Sequence, residues 1–209
     1  MEQSALTYRF PNRMGRLILC SMEEVIGRNG LSAALNLAGL ASLIDDFPHA
    51  DEEKFLSFEM LGSLQGALEQ AYGPRGGRGL AMRSGRVFFT HIVREHGPGM
   101  GLTDTTFRLQ PPKQKVKVAL DALANFFNQT TDQSILITET EDHLLWRVEH
   151  CPLCWERHER EPVCHFTVGM LQEGLYWVSG GKIYNVVEES CIACGDPACA
   201  IMIDRIPMA

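Results

Sequence analysis

This 209-residue chain has little that would mark it as exported, membrane-bound or nucleotide-using. Its first residues, MEQSALTYRFPNRMGR, hold no apolar core of signal-peptide length and no small-residue cleavage site. No stretch approaches the roughly 18 uncharged apolar residues of a membrane span, so no membrane partner is expected. Basic residues are in deficit: 19 Lys and Arg stand against 26 Asp and Glu, for a net charge of −7. A general nucleic-acid binder needs a surplus of cations to neutralise phosphates, so no nucleic-acid partner is expected. The local run Arg75, Arg78, Arg83 and Arg86 reads as a solvated loop and helix face. Gly73-Pro-Arg-Gly-Gly-Arg-Gly79 is glycine-rich but is not followed by the Gly-Lys-Ser/Thr of a phosphate loop. There is no dinucleotide fingerprint, no flavin signature and no Ser/His/Asp order. Glu139, Glu141 and Asp142 read as a solvated turn rather than an acid–base pair. These absences lean against an enzyme.

What is present is an ordinary globular composition with one core's worth of apolar residues, read as a single domain over 1–209. The first part, 1–128, is mainly helical. Asn12 stands as an N-cap before Met14, Leu17, Ile18, Met22, Val25 and Ile26 at helical spacing, and Gly27 to Gly30 end the run. Ser32 opens a second helix with Leu35, Leu40, Leu43 and Ile44. A third stripe, Leu61, Leu64, Leu68 and Tyr72, stops at Gly73-Pro74. A weaker fourth holds Val87, Phe88 and Ile92 before the loop Gly97 to Gly101. Pro111-Pro112 open a fifth helix with Val116, Leu120, Leu123 and Phe127 on one face. The second part, 129–209, alternates differently. Ile135–Ile137 and Leu144–Val148 read as strands, 163–178 as a helix closed by Gly180-Gly181, and 182–189 and 198–206 as a final hairpin. The fold class is α+β, with the helical half packed on an antiparallel sheet.

Six of the seven cysteines fall between Cys151 and Cys199. The chain's lack of an export signal predicts the reducing cytoplasm, where clustered thiols serve metals or catalysis more often than disulfides. Cys191 ends one strand and Cys199 begins the next, so the hairpin brings both to one end. Cys164 starts a helix, where N–H groups favour a thiolate. Four thiolates satisfy zinc's tetrahedral preference as a closed site. Six candidates for four places leave alternatives. One is a ribbon of two knuckles, Cys151-x-x-Cys154 and Cys191-x-x-Cys194. Another is Cys164, Cys191 and Cys199 with one residue near Cys151. A [4Fe–4S] cluster would also accept four of these thiols.

Cys164-x26-Cys191, followed by Glu188-x-x-Cys191-x-x-x-Gly195-Asp196-x-x-Cys199, resembles the 4-vinyl reductase domain, a small-molecule-binding domain of bacteria and archaea. Asn12-Arg-Met-Gly-Arg-Leu-Ile-Leu, Glu23-Glu-Val-Ile-Gly27 and Ala38-Gly-Leu40 look like the N-terminal half of its "hydrocarbon-binding" members, so the resemblance spans nearly the whole chain. The family is similar to the sensor domains of phenol- and toluene-responsive activators. It is similar in fold to TRAPP transport-complex subunits and haem–nitric-oxide-binding domains. The resemblance implies zinc held by Cys164, Cys191 and Cys199 with a fourth donor from Glu149, Cys151 or Cys154, of which a cysteine is preferred. It also implies a homodimer using part of the helical face. Cys194 matches no ligand position.

The function expected is non-catalytic binding of a small apolar or aromatic ligand, as sensor or carrier, in a pocket lined by Phe88, Ile92, Phe107, Phe126, Trp146, Phe166, Met170, Tyr176 and Trp177. The alternatives are a tetrapyrrole (vinyl chlorophyllide or haem) enzyme or carrier, and a structural protein-interaction module. His91 sits where a haem would need an axial ligand, but a core histidine with one hydrogen bond is the plainer reading. His150, His158 and His165 lie beside the cysteines and read as supporting or surface groups.

Overall fold

The computed structural model describes residues 7–208. Two long helical runs dominate its first half, α1 (Asn12–Leu37) and α2 (Phe58–His96). Each is broken once, at Gly27 (φ 72°, ψ 164°) and Gly73 (φ 74°, ψ 164°). That region of backbone space belongs almost wholly to glycine. The sequence places helix ends at these same two glycines. The chain does leave the helix there, but it resumes within a residue. Pro74 opens the second limb of α2, where its missing N–H would have had no partner. The glycine-rich stretch that reads as a loop is therefore helical. A Cβ on Gly77 would fall 2.6 Å from the Glu69 Cα, so the two limbs of α2 touch through bare backbone.

Three further differences are local. Asn12 is the first helical residue rather than a cap; its Nδ2 donates to Asp51 Oδ1 at 2.9 Å and its Oδ1 accepts from the Phe55 N–H at 3.0 Å, which anchors the loop before α2. Ser32 lies inside α1, whereas Ser57 does cap α2, accepting from the Met60 N–H at 3.2 Å. A two-residue ladder of β1 (Arg9–Phe10) with β2 (Leu56–Ser57) was too short to show in the sequence pattern.

The short α3 (Thr105–Arg108) and α4 (Pro112–Thr130) lead into the sheet. Its strands are β3 (Ile135–Glu139), β4 (His143–Val148), β5 (Val186–Ser190) and β6 (Cys199–Asp204), in the order β3-β4-β6-β5, every pair antiparallel. Leu144, Trp146 and Val148 alternate inward along β4. The fold class is α+β, helices packed against antiparallel sheets. α5 (His165–Ser179) packs on α2, α4 and β5. It crosses α2 at backbone contact: a Cβ on Gly85 would lie 1.9 Å from the Phe166 carbonyl oxygen, and one on Gly169 2.0 Å from that of Met82. One contiguous core runs through both halves of the chain. No described helix is long and apolar enough to cross a membrane.

Candidate metal centre and adjoining cavity

Three pieces of chain converge below the ends of β4, β5 and β6. The segment after β4 turns through Cys151 and Cys154, and its Arg157 is nine-tenths buried, paired with Glu69 at 3.2 Å and Glu159 at 2.7 Å. The Glu159 N–H donates to the Ala193 carbonyl at 2.8 Å, tying this segment to the β5–β6 turn. In that turn the Cys191 N–H donates to Asp196 Oδ2 at 2.8 Å, and the short 3-10 stretch Ile192–Cys194 swings the chain back to Cys199. Gly195, at φ 95°, completes the reversal.

The result is a chain of contacts among five buried sulfurs. Cys164 Sγ lies 3.4 Å from Cys151, 3.8 Å from Cys191 and 3.7 Å from Cys199. Cys199 Sγ lies 3.3 Å from Cys154 and 3.9 Å from Cys191. Cys194 is exposed and Cys20 lies half-buried on α1; neither joins them. The two-knuckle ribbon would need Cys194, so the cluster does not have that form. Among the sulfurs, hydrogen bonding led by Cys151 holds the Cys154 thiol far below the ordinary thiol range. Cys154 in turn pushes Cys151 up, and Cys151 pushes Cys164 and Cys199 up. A divalent cation would deprotonate each thiol it coordinates.

A donor outside the expected set also reaches the cluster. Glu188, on β5, places a carboxylate oxygen within 4.8 Å of the Cys164, Cys191 and Cys199 sulfurs. Its Oε2 accepts from the Cys164 N–H at 2.7 Å, while its Oε1 is buried with no hydrogen-bond partner. Burial pushes its carboxyl pKa up, against the pull of Cys164. The sequence signal was there, three residues before Cys191. Glu149 is exposed instead, taking a hydrogen bond from Ser134 Oγ at 3.1 Å. His150 stacks on Tyr8 with ring centroids 4.1 Å apart, His158 is exposed, and His165 is held down at about 4 by burial and by Arg78 and Arg157. None of the three belongs to the cluster.

Beside the sulfurs, between α2, α4, α5 and β4, is a cavity of about 30 Å³. Of the residues expected to line a pocket, Phe88, Trp146, Phe166 and Met170 do so, with Phe10, Ile18, Phe127, Val148, Leu153 and Cys151. Gln133 and Thr167 are its polar members. The indole Nε1 of Trp146 is buried without a partner. Ile92 and Phe107 are buried but do not line it. Phe126 packs on His96 and Phe127. Tyr176 and Trp177 are exposed, Trp177 against Phe89. His91 is buried with both ring nitrogens engaged: Arg94 donates to Nδ1 at 2.6 Å, which leaves Nε2 to donate to Glu24 at 2.7 Å.

No protein-family model and no curated protein matches the sequence. Solved structures match its fold. An H-NOX protein from S. oneidensis, in the Fe(II)NO state, superposes with a TM-score of 0.60 at 13% identity, over 93% of this chain and 99% of its own. The unliganded Fe(II) H-NOX protein from K. algicida gives 0.61 at 11%, over 96% and 97%. The chain has the H-NOX fold. The phenol-responsive sensory domain of the transcription activator PoxR, solved with phenol, matches at 0.50 and 19% identity, over 74% of this chain and 78% of its own. At these identities the H-NOX likeness is one of architecture.

Proposed function

We propose that the chain is a non-catalytic domain of the 4-vinyl reductase type that binds a small apolar or aromatic molecule, as sensor or carrier, and is pinned by a zinc-type thiolate site. The observation that carries this reading is the cavity. Its walls are mostly aromatic and aliphatic, and Trp146, one of the lining residues, carries a buried indole N–H with no partner. Ligand sites have this make-up: apolar surface with few, placed polar groups. An unpaired buried N–H costs about 1–3 kcal/mol, which a ligand oxygen would recover. PoxR supports the same reading, since a domain of this fold senses phenol.

Size narrows the ligand. About 30 Å³ is room for a water or two. A single ring enters only as side chains move, and Met170, unbranched and adaptable, is the natural one to yield. A tetrapyrrole is many times larger than the opening, and His91 offers neither ring nitrogen to an iron. The H-NOX fold alone favours the haem reading, and these two observations weigh against it. The sulfurs, for their part, lie at contact distance with edges near those of a tetrahedron around one small ion. An iron–sulfur cube would stand between its thiolates and hold them apart. A homodimer using part of the helical face stays part of the proposal, as the family resemblance implies, but the Leu and Met stripe of α1 is buried in the core. Tyr176 and Ile183, which share one cleft, and the neighbouring Trp177 remain exposed for it.

The test is thermal unfolding of the full chain with phenol, toluene and haem in turn, followed by mass analysis of the recovered ligand. A ligand at a hundred times its Kd adds about 2.7 kcal/mol, or roughly 5–10 °C for a chain of this size. Phenol and toluene should both raise the melting temperature and be recovered unchanged. Trp146→Phe should shrink the phenol shift and spare that of toluene. Haem binding with a visible absorption band would replace this reading by the tetrapyrrole one. No shift with any of the three would remove it in favour of an interaction module.

A further inference from the structure

The groups at the sulfur cluster number six, and they fall into two quartets. Cys151, Cys154, Cys164 and Cys199 have donor atoms all within 4.8 Å of one another; so do Cys164, Glu188, Cys191 and Cys199. Cys164 and Cys199 belong to both, with sulfurs 3.7 Å apart. A metal–sulfur bond of about 2.3 Å makes the edge of a regular four-sulfur tetrahedron about 3.8 Å, the bond length multiplied by 1.63. The shared edge and the two edges from Cys191, at 3.8 and 3.9 Å, match it.

We propose that the cluster binds two divalent cations of the zinc type, bridged by the Cys164 and Cys199 thiolates. Cys151 and Cys154 complete one tetrahedron; Cys191 and Glu188 Oε1 complete the other. This rests on the metal reading above and goes beyond it in stoichiometry and in assigning the Cys-Pro-Leu-Cys pair its own ion. Two tetrahedra with a common edge are the geometry of a thiolate-bridged pair of metals. A single ion would use one quartet and leave two donors of the other, all of them turned into the same dry space, with nothing to bind. Glu188 supplies an independent observation. Its Oε2 is taken by the Cys164 N–H, yet its Oε1 is buried and bare, an expensive condition for a carboxylate unless something binds it.

Charge is compatible with this. Five thiolates and a carboxylate, all ionised and bound, carry six negative charges. Two cations leave two, the same net charge that a single ion with four thiolates already tolerates. The arrangement also explains the reach of the site through the fold. One ion fastens the segment after β4 to the start of α5 and to β6; the other fastens β5 to the same two sulfurs.

The experiment is native mass spectrometry of the full chain saturated with zinc, with cadmium-113 NMR of the cadmium-loaded chain. The expected result is two metals per chain and two cadmium resonances, coupled to each other through the bridging sulfurs. Glu188→Gln and Cys154→Ala should each bring the count to one, and Cys194→Ala should keep two. One zinc per native chain with one cadmium resonance overturns the two-metal proposal and leaves the metal reading standing. No bound zinc removes both. Two zincs retained in Glu188→Gln overturn the assignment of the second site.

Discussion

Replacing Gly169 by alanine tests the crossing on which both the cavity and the start of the metal segment depend. The new methyl would lie 2.0 Å from the Met82 carbonyl oxygen, where ordinary contact begins near 3.4 Å, so α2 and α5 must part locally by about 1.4 Å. Backbone faces backbone here, and no flexible side chain can step aside. Overpacking of this kind costs about 1–3 kcal/mol. For a chain of this length each kcal/mol lowers the melting temperature by roughly 2–4 °C, so Gly169→Ala should lower it by roughly 2–12 °C. Gly85→Ala meets the Phe166 carbonyl at 1.9 Å from the other side of the same crossing. Once one methyl has forced the helices apart, the second finds the gap already open, and the double variant should fall well short of the summed losses. Gly79→Ala is the control: it lies in α2 with nothing within 4 Å of the added Cβ, and should stabilise by about 0.5–1 kcal/mol through helix propensity. Melting followed by circular dichroism reads all four. If Gly169→Ala melts at or above the native chain while Gly79→Ala gains as forecast, the close crossing does not hold these helices. Strict additivity of the two alanines would refute the shared gap.

Two further outcomes follow from the site. Cys164→Ala, Cys191→Ala and Cys199→Ala should each lose metal and solubility, whereas Cys194→Ala and Cys20→Ala should hold both; elemental analysis and light scattering check this, and a chelator should open 151–199 to protease, since such sites supply folding free energy. Arg157→Ala removes the pair with Glu69 that fastens this segment to α2 and the pair with Glu159 inside the segment, and should lower the urea midpoint by an amount equivalent to about 1.5–3 kcal/mol at unchanged m-value.

The helical stripes, the four sheet strands and the convergence of Cys191 with Cys199 are legible in the sequence because each rests on local periodicity or on a turn. Gly27 and Gly73 show where the limit lies. A glycine announces that the helix geometry breaks but not for how long, and both breaks last one residue. Gly76 and Gly77 look like a loop because their reason for being small is the other limb of α2, which no local window contains. The same distinction runs through the site. Cys151 and Cys154 are paired in sequence, but only the path of the chain past Arg157 decides that both face Cys164 and Cys199. Glu188 went unranked because a carboxylate on an alternating strand looks like any other solvated position until the face it points to is known. In the cavity the apolar residues on α5's first turns, Phe166 and Met170, are legible as inward, while Tyr176 and Trp177 at its far end outlast the core and emerge into solvent.

Cys151 stands in two structures at once. Its sulfur packs 3.4 Å from Cys164 in the cluster, and its side chain is part of the cavity wall. An occupant that displaces this wall meets a different resistance when the sulfur is tied to a cation than when it is free to turn. Binding in the two places is then thermodynamically coupled, and the coupling is reciprocal: whatever factor the cation adds to or takes from ligand affinity, the ligand imposes on cation affinity in equal measure. A change in metal supply would in this way retune the concentration at which the cavity fills, with no contact between ion and ligand.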